Sequence, residues 1–338
     1  MVHAIGPQQI GFKLFQPTDG FTVQQGAGVA DNEKVKFIGS RGAPAAGILT
    51  AARQHHINWS VYRFEVTNRI HPPGNLVDWP GEPTSEADLY DGRWGIHAHS
   101  LLPDPNTGEM PLIYGNHFRW INKEHGIYIC GSCVSEKNLY DHCAAQGIQI
   151  WFTATGIVGG AKPGTIGSVA ADWATYTNPS LEVGSLNDTF DHCGLFHGRG
   201  RAAFACSIKG GPEGAFVDGS KFIHDHHPAG GGWLDWATTA EPGAIMIEHR
   251  PRCRVENCTI DYKGMSNRSV ILIQNVHGVA KLTNNTFTRG GKIDFVNVDT
   301  VVVQGNKYTG SGQPPEVTVR TPNGVILYKG DVQKDVAF

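Results

Sequence analysis

The stretch Val255-Glu-Asn-Cys-Thr-Ile260 has two echoes further along the chain, Leu282-Thr-Asn-Asn-Thr-Phe287 and Val303-Gln-Gly-Asn-Lys-Tyr308. Each runs from an apolar residue to a Cys or Asn, then through a polar residue to another apolar one. Toward the N-terminus the same frame takes in Phe222-Ile-His-Asp225, Phe190-Asp-His-Cys193 and Tyr140-Asp-His-Cys143. The last residues of these six quartets lie 50, 32, 33, 27 and 21 positions apart, by subtraction of their numbers. Self-similarity of this kind outranks any element-by-element reading.

Between the quartets lie short β-type runs such as Val270-Ile-Leu-Ile273, Val279-Ala-Lys-Leu282, Ile293-Asp-Phe295 and Val301-Val-Val303, punctuated by Gly, Asn and Asp. No segment there is long and periodic enough for a crossover helix. Short strands, frequent turns and a coil of about 20 to 30 residues predict an all-β solenoid in which each turn of chain stacks on the one before. Inward apolar residues would join a continuous core. A Cys or Asn at a repeated corner would stack on its counterpart, Asn through a hydrogen-bonded ladder and Cys as a small hydrophobe.

Composition agrees with that reading. Of 338 residues, 43 are Gly, well above the average of about 7%, without the Gly-X-Y period of collagen. Hydrophobic residues at 40%, with 8 Trp and 15 Phe, suffice for a core, and a charged content of 17% excludes a disordered or coiled-coil chain. The 28 basic and 31 acidic residues nearly cancel, so no global field favours nucleic acid or an anionic membrane, although 16 His shift the balance on acidification. No run of eighteen apolar residues suggests membrane insertion, and the N-terminus lacks a signal-peptide pattern. The 7 Cys are odd in number and scattered, which favours buried free thiols over a disulfide framework.

The run Arg252 to Gly312, with its V-E-N-C-T-I, L-T-N-N-T-F and V-Q-G-N-K-Y corners, resembles the right-handed parallel β-helix superfamily. That superfamily includes pectate-lyase-like enzymes, related glycoside hydrolases and phage tailspikes. The resemblance implies a fold and leaves the reaction open. It divides the chain into an N-terminal cap and early coils with long loops (1–125), a parallel β-helix (126–310) and a C-terminal hairpin (311–338). The hairpin rests on Glu316-Val-Thr-Val-Arg320 and Val325-Ile-Leu-Tyr328 around an Asn-Gly turn, and Ala45 to His55 reads as a short helix.

Several residues could carry chemistry. A uronide lyase needs a cation to neutralise the substrate carboxylate and a base to remove a proton. His197, Arg199 and Lys209, and separately His249, Arg250 and Lys263, are catalytic candidates on those grounds. The segment Ile245 to Asn257 is similar to the strand of alginate and chondroitin lyases that carries Arg-His-Gly before a corner Asn, but has Glu248-His-Arg-Pro251 in its place. A triple-Asp polygalacturonase pattern is absent. Trp233 and Trp236, beside Gly230-Gly-Gly232, could stack on sugar rings, with His224, His226 and Arg201 as further substrate contacts.

His224 and His226 share a strand face and could also hold a divalent cation, but no supporting carboxylate or Cys fits, and no cofactor is expected. Cys130-Gly-Ser-Cys133 reads as a strand-turn pair, and His97-Ala-His99 as two imidazoles on one strand face. Five Asn-x-Ser/Thr sequons occur, at Asn58, Asn187, Asn257, Asn267 and Asn284, with two in the predicted corner ladders. Nucleotide-binding loops and a serine-hydrolase elbow are missing.

These readings leave three functions. The first is a virion-type surface protein, a tailspike or capsid decoration, that binds host or environmental glycans at the virion surface or outside the cell. Such a protein would be a homo-oligomer, a trimer in the commonest arrangement, in contact with other virion proteins. The second is a polysaccharide lyase acting on a uronic-acid polymer, and the third a non-enzymatic carbohydrate-binding module.

Overall fold

The computed structural model describes residues 94–103, 107–121, 124–151, 180–194, 204–224, 243–262 and 269–320. It also describes short strands at Phe12–Leu14, Thr22–Gln24, Lys36–Ile38, Gly47–Ala51, His56–Ile57, Ser60–Tyr62 and Glu65–Thr67. Among the described residues every strand pairing is parallel, and the strands form curled sheets of 18 and 9 members. Gly47–Ala51, where the sequence suggested a helix, pairs in parallel with Phe12–Leu14 and with Trp94–Leu102.

Three rows of strands recur along the chain. A long row contains Trp94–Leu102, His125–Gly131, Gln146–Trp151, Phe204–Lys209 and Gly243–Arg250, and continues through the start of Ile271–Thr283 and of Lys292–Gln304 to Glu316–Arg320. A second row contains Leu112–Tyr114, Val134–Glu136, Glu182–Leu186, Gly214–Asp218 and Cys253–Glu256, then the far ends of the same two long strands. A narrow row of nine strands includes His117–Arg119, Leu139–Asp141, Thr189–Asp191, Lys221–Ile223, Thr259–Ile260, Thr286–Phe287 and Lys307–Tyr308.

The core is built from identical rungs. Ile96, Ile127, Ile148, Cys206, Ile245, Ile271 and Ile293 pair in sequence along the long row and are all fully buried. Each of the Ile side chains contributes about 1.5–3 kcal/mol through removal from water. Opposite them, Phe118, Tyr140, Phe190 and Phe222 stack with centroids 5.0, 5.1 and 4.6 Å apart and planes within 12° of parallel. Gly126 and Gly147 lie beneath this stack, where a Cβ would meet the rings of Tyr140 and Phe190 at 2.7 and 2.6 Å.

Between the second and narrow rows the backbone turns through one left-handed residue per turn of chain. These are Gly115, Lys137, Asn187, Gly219, Asn257, Asn284 and Gly305, with φ from 54° to 67°. The residue that follows points inward, giving a column of Asn116, Asn138, Asp188, Ser220, Cys258, Asn285 and Asn306.

The pairing corrects the sequence alignment. Tyr140, Phe190 and Phe222 belong to the narrow row, whereas Val255, Leu282 and Val303 belong to the second row, and Phe222 pairs with Ile260. The frame thus slips by five residues between Phe222 and Val255. The quartet pattern occurs at two different corners of one turn.

All 7 Cys are free and buried, as expected from their scatter. Cys143, Cys193 and Cys258 donate their thiols to backbone carbonyls inside the stack. At the C-terminal end, Glu316–Arg320 pairs in parallel with Lys292–Val296 and so continues the long row. The second arm of the expected hairpin lies outside the described residues.

Candidate functional site

Alternation along the long row sends every second side chain outward. Ile127 and Ile129 are buried on either side of half-buried Tyr128, and Ile148 and Ile150 on either side of half-buried Gln149. Tyr128 pairs with His97 on one side and Gln149 on the other. Trp151 ends the same strand as Gln149 and pairs with Lys209.

This register brings rings from three turns together. Trp94 and His97 lie 4.3 Å apart, His97 and Tyr128 5.3 Å, Trp94 and Tyr128 5.9 Å, and Tyr128 and Trp151 6.3 Å. His125 meets the Tyr128 ring edge-on at 5.3 Å and pairs with Glu124 at 3.5 Å. The result is a half-buried aromatic group on the outer side of the long row.

Polar side chains extend it. Lys209, beside Trp151 in register, forms an ion pair with Glu248 at 3.7 Å, and Gln274 donates its amide to the other Glu248 oxygen. Flat rings beside a run of amide, ammonium and carboxylate groups suit a ligand with apolar faces and many hydroxyls.

The residues singled out from the sequence are dispersed. Lys209 is part of the outer face just described. His249 is exposed at a left-handed turn (φ 55°), where the Asn275 amide lies 3.2 Å from its Nε2. Its neighbour Arg250 points into the protein, is 1% exposed, and donates to Glu213 at 3.2 Å. Glu213 also accepts from Ser132 Oγ at 2.7 Å. Burial lowers the Arg250 guanidinium to about 10 despite the charge and hydrogen bond of Glu213. The Arg250 guanidinium is thus an interior ion-pair partner of Glu213.

His224 is likewise inside, 9% exposed, with its ring 5.1 Å from Tyr262 and 5.7 Å from His192. It belongs to a second corner column, Trp120, His142, His192 and His224, whose consecutive rings are 4.1, 4.8 and 5.7 Å apart. His197, Arg199, Arg201, His226, Trp233, Trp236 and Lys263 lie outside the described residues.

Two carboxylates steer that column. Asp191 pairs with His192 at 2.5 Å, and Asp141 pairs with His142, with Arg119 at 2.9 Å and with His117 at 3.4 Å. Burial alone would raise the Asp141 carboxyl, but hydrogen bonds from His117 and His142 and the Arg119 charge together hold it well below the usual carboxylate range. Among the described residues no three His, Cys, Asp or Glu side chains converge to hold a metal ion.

Sequence reasoning missed Trp94, Tyr128 and Trp151. The usable signal was the alternation Ile96-His-Ala98, Ile127-Tyr-Ile129 and Ile148-Gln-Ile150, which marks the middle residue of each trio as outward. Of this face the sequence marks only His97, through its spacing to His99, and Lys209. No protein-family profile, curated protein or solved structure matches the chain.

Proposed function

We propose that the chain is a right-handed parallel β-helix acting as a virion-type surface protein that binds glycans. The observation that carries the reading is the ring group of Trp94, His97, Tyr128 and Trp151 on one outer face, next to Gln149, Lys209 and Glu248. Sugar rings have apolar faces that pack on flat aromatics and rims of hydroxyls that take hydrogen bonds from amides and ions. Binding sites spread along a stacked face also favour extended polymers, because successive sugars meet successive turns of chain. A homo-oligomer would multiply such contacts.

Glycan-array binding followed by calorimetry on the best polysaccharide tests the reading. Trp151→Ala with Tyr128→Ala is expected to weaken binding at least tenfold with unchanged circular dichroism. Equal affinity in the variant, or no affinity for any glycan, refutes it.

The lyase reading keeps one specific observation, exposed His249 directly after the Glu248 that holds Lys209. It predicts absorbance of unsaturated products on acidic polysaccharides that disappears on His249→Ala. Silence across the panel removes it.

A further inference from the structure

The inward column beside the second row follows one hydrogen-bonding rule. Each side-chain oxygen accepts from the backbone N–H of the column residue one turn earlier: Asn138 from Asn116 at 2.8 Å, Asn285 from Cys258 at 2.9 Å, and Asn306 from Asn285 at 3.0 Å. Each amide nitrogen then donates to a carbonyl of that earlier turn: Asn138 to Ile113 at 2.8 Å, Asn285 to Val255 at 2.9 Å, and Asn306 to Leu282 at 2.8 Å. One position in this column is an acid.

Asp188 is fully buried and keeps the first half of the rule, its Oδ1 accepting from the Asn138 N–H at 2.7 Å. The second half requires a donor. By register, the carbonyl equivalent to that of Ile113 is that of Ser135. A carboxylate oxygen cannot donate to it, whereas a carboxylic acid carries an O–H that can donate in the manner of the asparagine N–H. The remaining partners are neutral. The Asn138 side-chain amide also donates to Oδ1 at 3.2 Å, Ser185 Oγ donates to Oδ2 at 2.7 Å, and the Asp188 N–H donates to Ser220 Oγ at 3.2 Å.

The groups that feel its charge offer no compensation. Tyr140 from the narrow row, Cys133 at the start of the second row, and Cys206 from the long row all have their ionisation pushed up by Asp188 as well as by burial. Among the described residues Asp188 takes part in no ion pair, and the interior cation Arg250 is held by Glu213.

We propose that Asp188 is a proton-dependent rung of this column: with its proton it replaces asparagine group for group, and its ionisation loosens this turn of the stack. The environment has the matching effect on acidity. Burial raises the Asp188 carboxyl to about 7, even with Ser135, Ser185 and Asn138 hydrogen-bonding to it.

An unfolded Asp titrates at about 3.9. Below that pH both states carry the proton. Between about pH 4 and pH 7 only the folded state does, so stability falls as pH rises, by up to about tenfold in the unfolding constant per pH unit, and then levels off.

Urea unfolding of the full chain from pH 4 to pH 9 tests this, wild type against Asp188→Asn and Asp188→Ser. Subtraction removes the contributions of the histidines, which all three proteins share. The expected result is that both variants lose this component of the slope and that Asp188→Asn unfolds at higher urea than wild type at pH 8. An unchanged slope, or an Asn variant weaker than wild type at pH 8, overturns the proposal. If neither variant folds, carboxyl-¹³C aspartate labelling of the wild type decides. A resonance titrating near pH 7 sustains the proposal, and the absence of any aspartate midpoint above about pH 5 refutes it.

Discussion

Two corners of the same turn of chain meet one backbone demand by different chemistry. Both need a left-handed residue, at Lys137, Asn187 and Asn257 in one and at Trp120, His142 and His192 in the other. At the first, the next residue turns inward and bonds to the backbone of the neighbouring turn. At the second, the left-handed residue itself supplies a ring that stacks on its counterparts. Hydrogen bonds to backbone atoms lock register at each step, whereas ring stacking tolerates sliding and tilt. The His192–His224 pair, tilted by 34° where His142–His192 is tilted by 7°, shows that latitude.

The wall between the two corners is the aromatic stack, so its loss should damage both. Phe190→Ala is expected to cost about 3–5 kcal/mol, read as a fall in the urea midpoint, because the neighbouring rings cannot close the cavity. Asn285→Ala should cost about 2–3 kcal/mol, since it takes the acceptor from the buried Cys258 N–H and removes the amide bond to the Val255 carbonyl. A smaller loss there would mean that the polar corner is not the stronger lock.

The two corners also carry aspartates shifted in opposite directions. Asp141 is held below its unfolded value, so its stabilisation is present above about pH 4 and is lost as pH falls below that. Asp141→Asn is expected to weaken the protein by about 1–2 kcal/mol at pH 7 and to converge with wild type in strong acid, as thermal unfolding across that range would show. Asp188, raised by burial, responds in the other direction. The smallest effect belongs to His192→Asn, which keeps a residue suited to positive φ and removes the ring stacking together with the bond to half-buried Asp191, about 0.5–1.5 kcal/mol by calorimetry. A larger cost would show the ring column to be more than padding.

The corner motif was legible wherever one corner was followed along the chain. Val255-Glu-Asn-Cys258, Leu282-Thr-Asn-Asn285 and Val303-Gln-Gly-Asn306 are true structural equivalents. The error came at the join to Phe222. Both corners show an apolar residue three positions before a Cys or Asn, and only backbone pairing tells them apart. Sequons illustrate the same difficulty. Asn257 and Asn284 are exposed left-handed residues, and the buried ladder uses the residue after each. The pattern Asn-x-Thr here follows from a turn residue, an inward partner and a strand start.

The outer ring group was visible as alternation in three short strands but was masked by louder signals, such as the Trp233 and Trp236 loop. His249 and Arg250 make the point at closest range, being adjacent in sequence yet one exposed and one interior. A left-handed residue resets the side-chain parity of the chain, so facing cannot be counted through it.

By itself the sequence determined an all-β chain of short repeated strands, a continuous apolar core and seven buried thiols, because these depend on local propensity and composition. Tertiary structure alone decided which corner residues stack, which side chains share the outer face, and in which direction the surroundings shift the acidity of a given aspartate. Those outcomes depend on neighbours one turn away, about 20 to 50 residues along the chain, and no local pattern encodes that register.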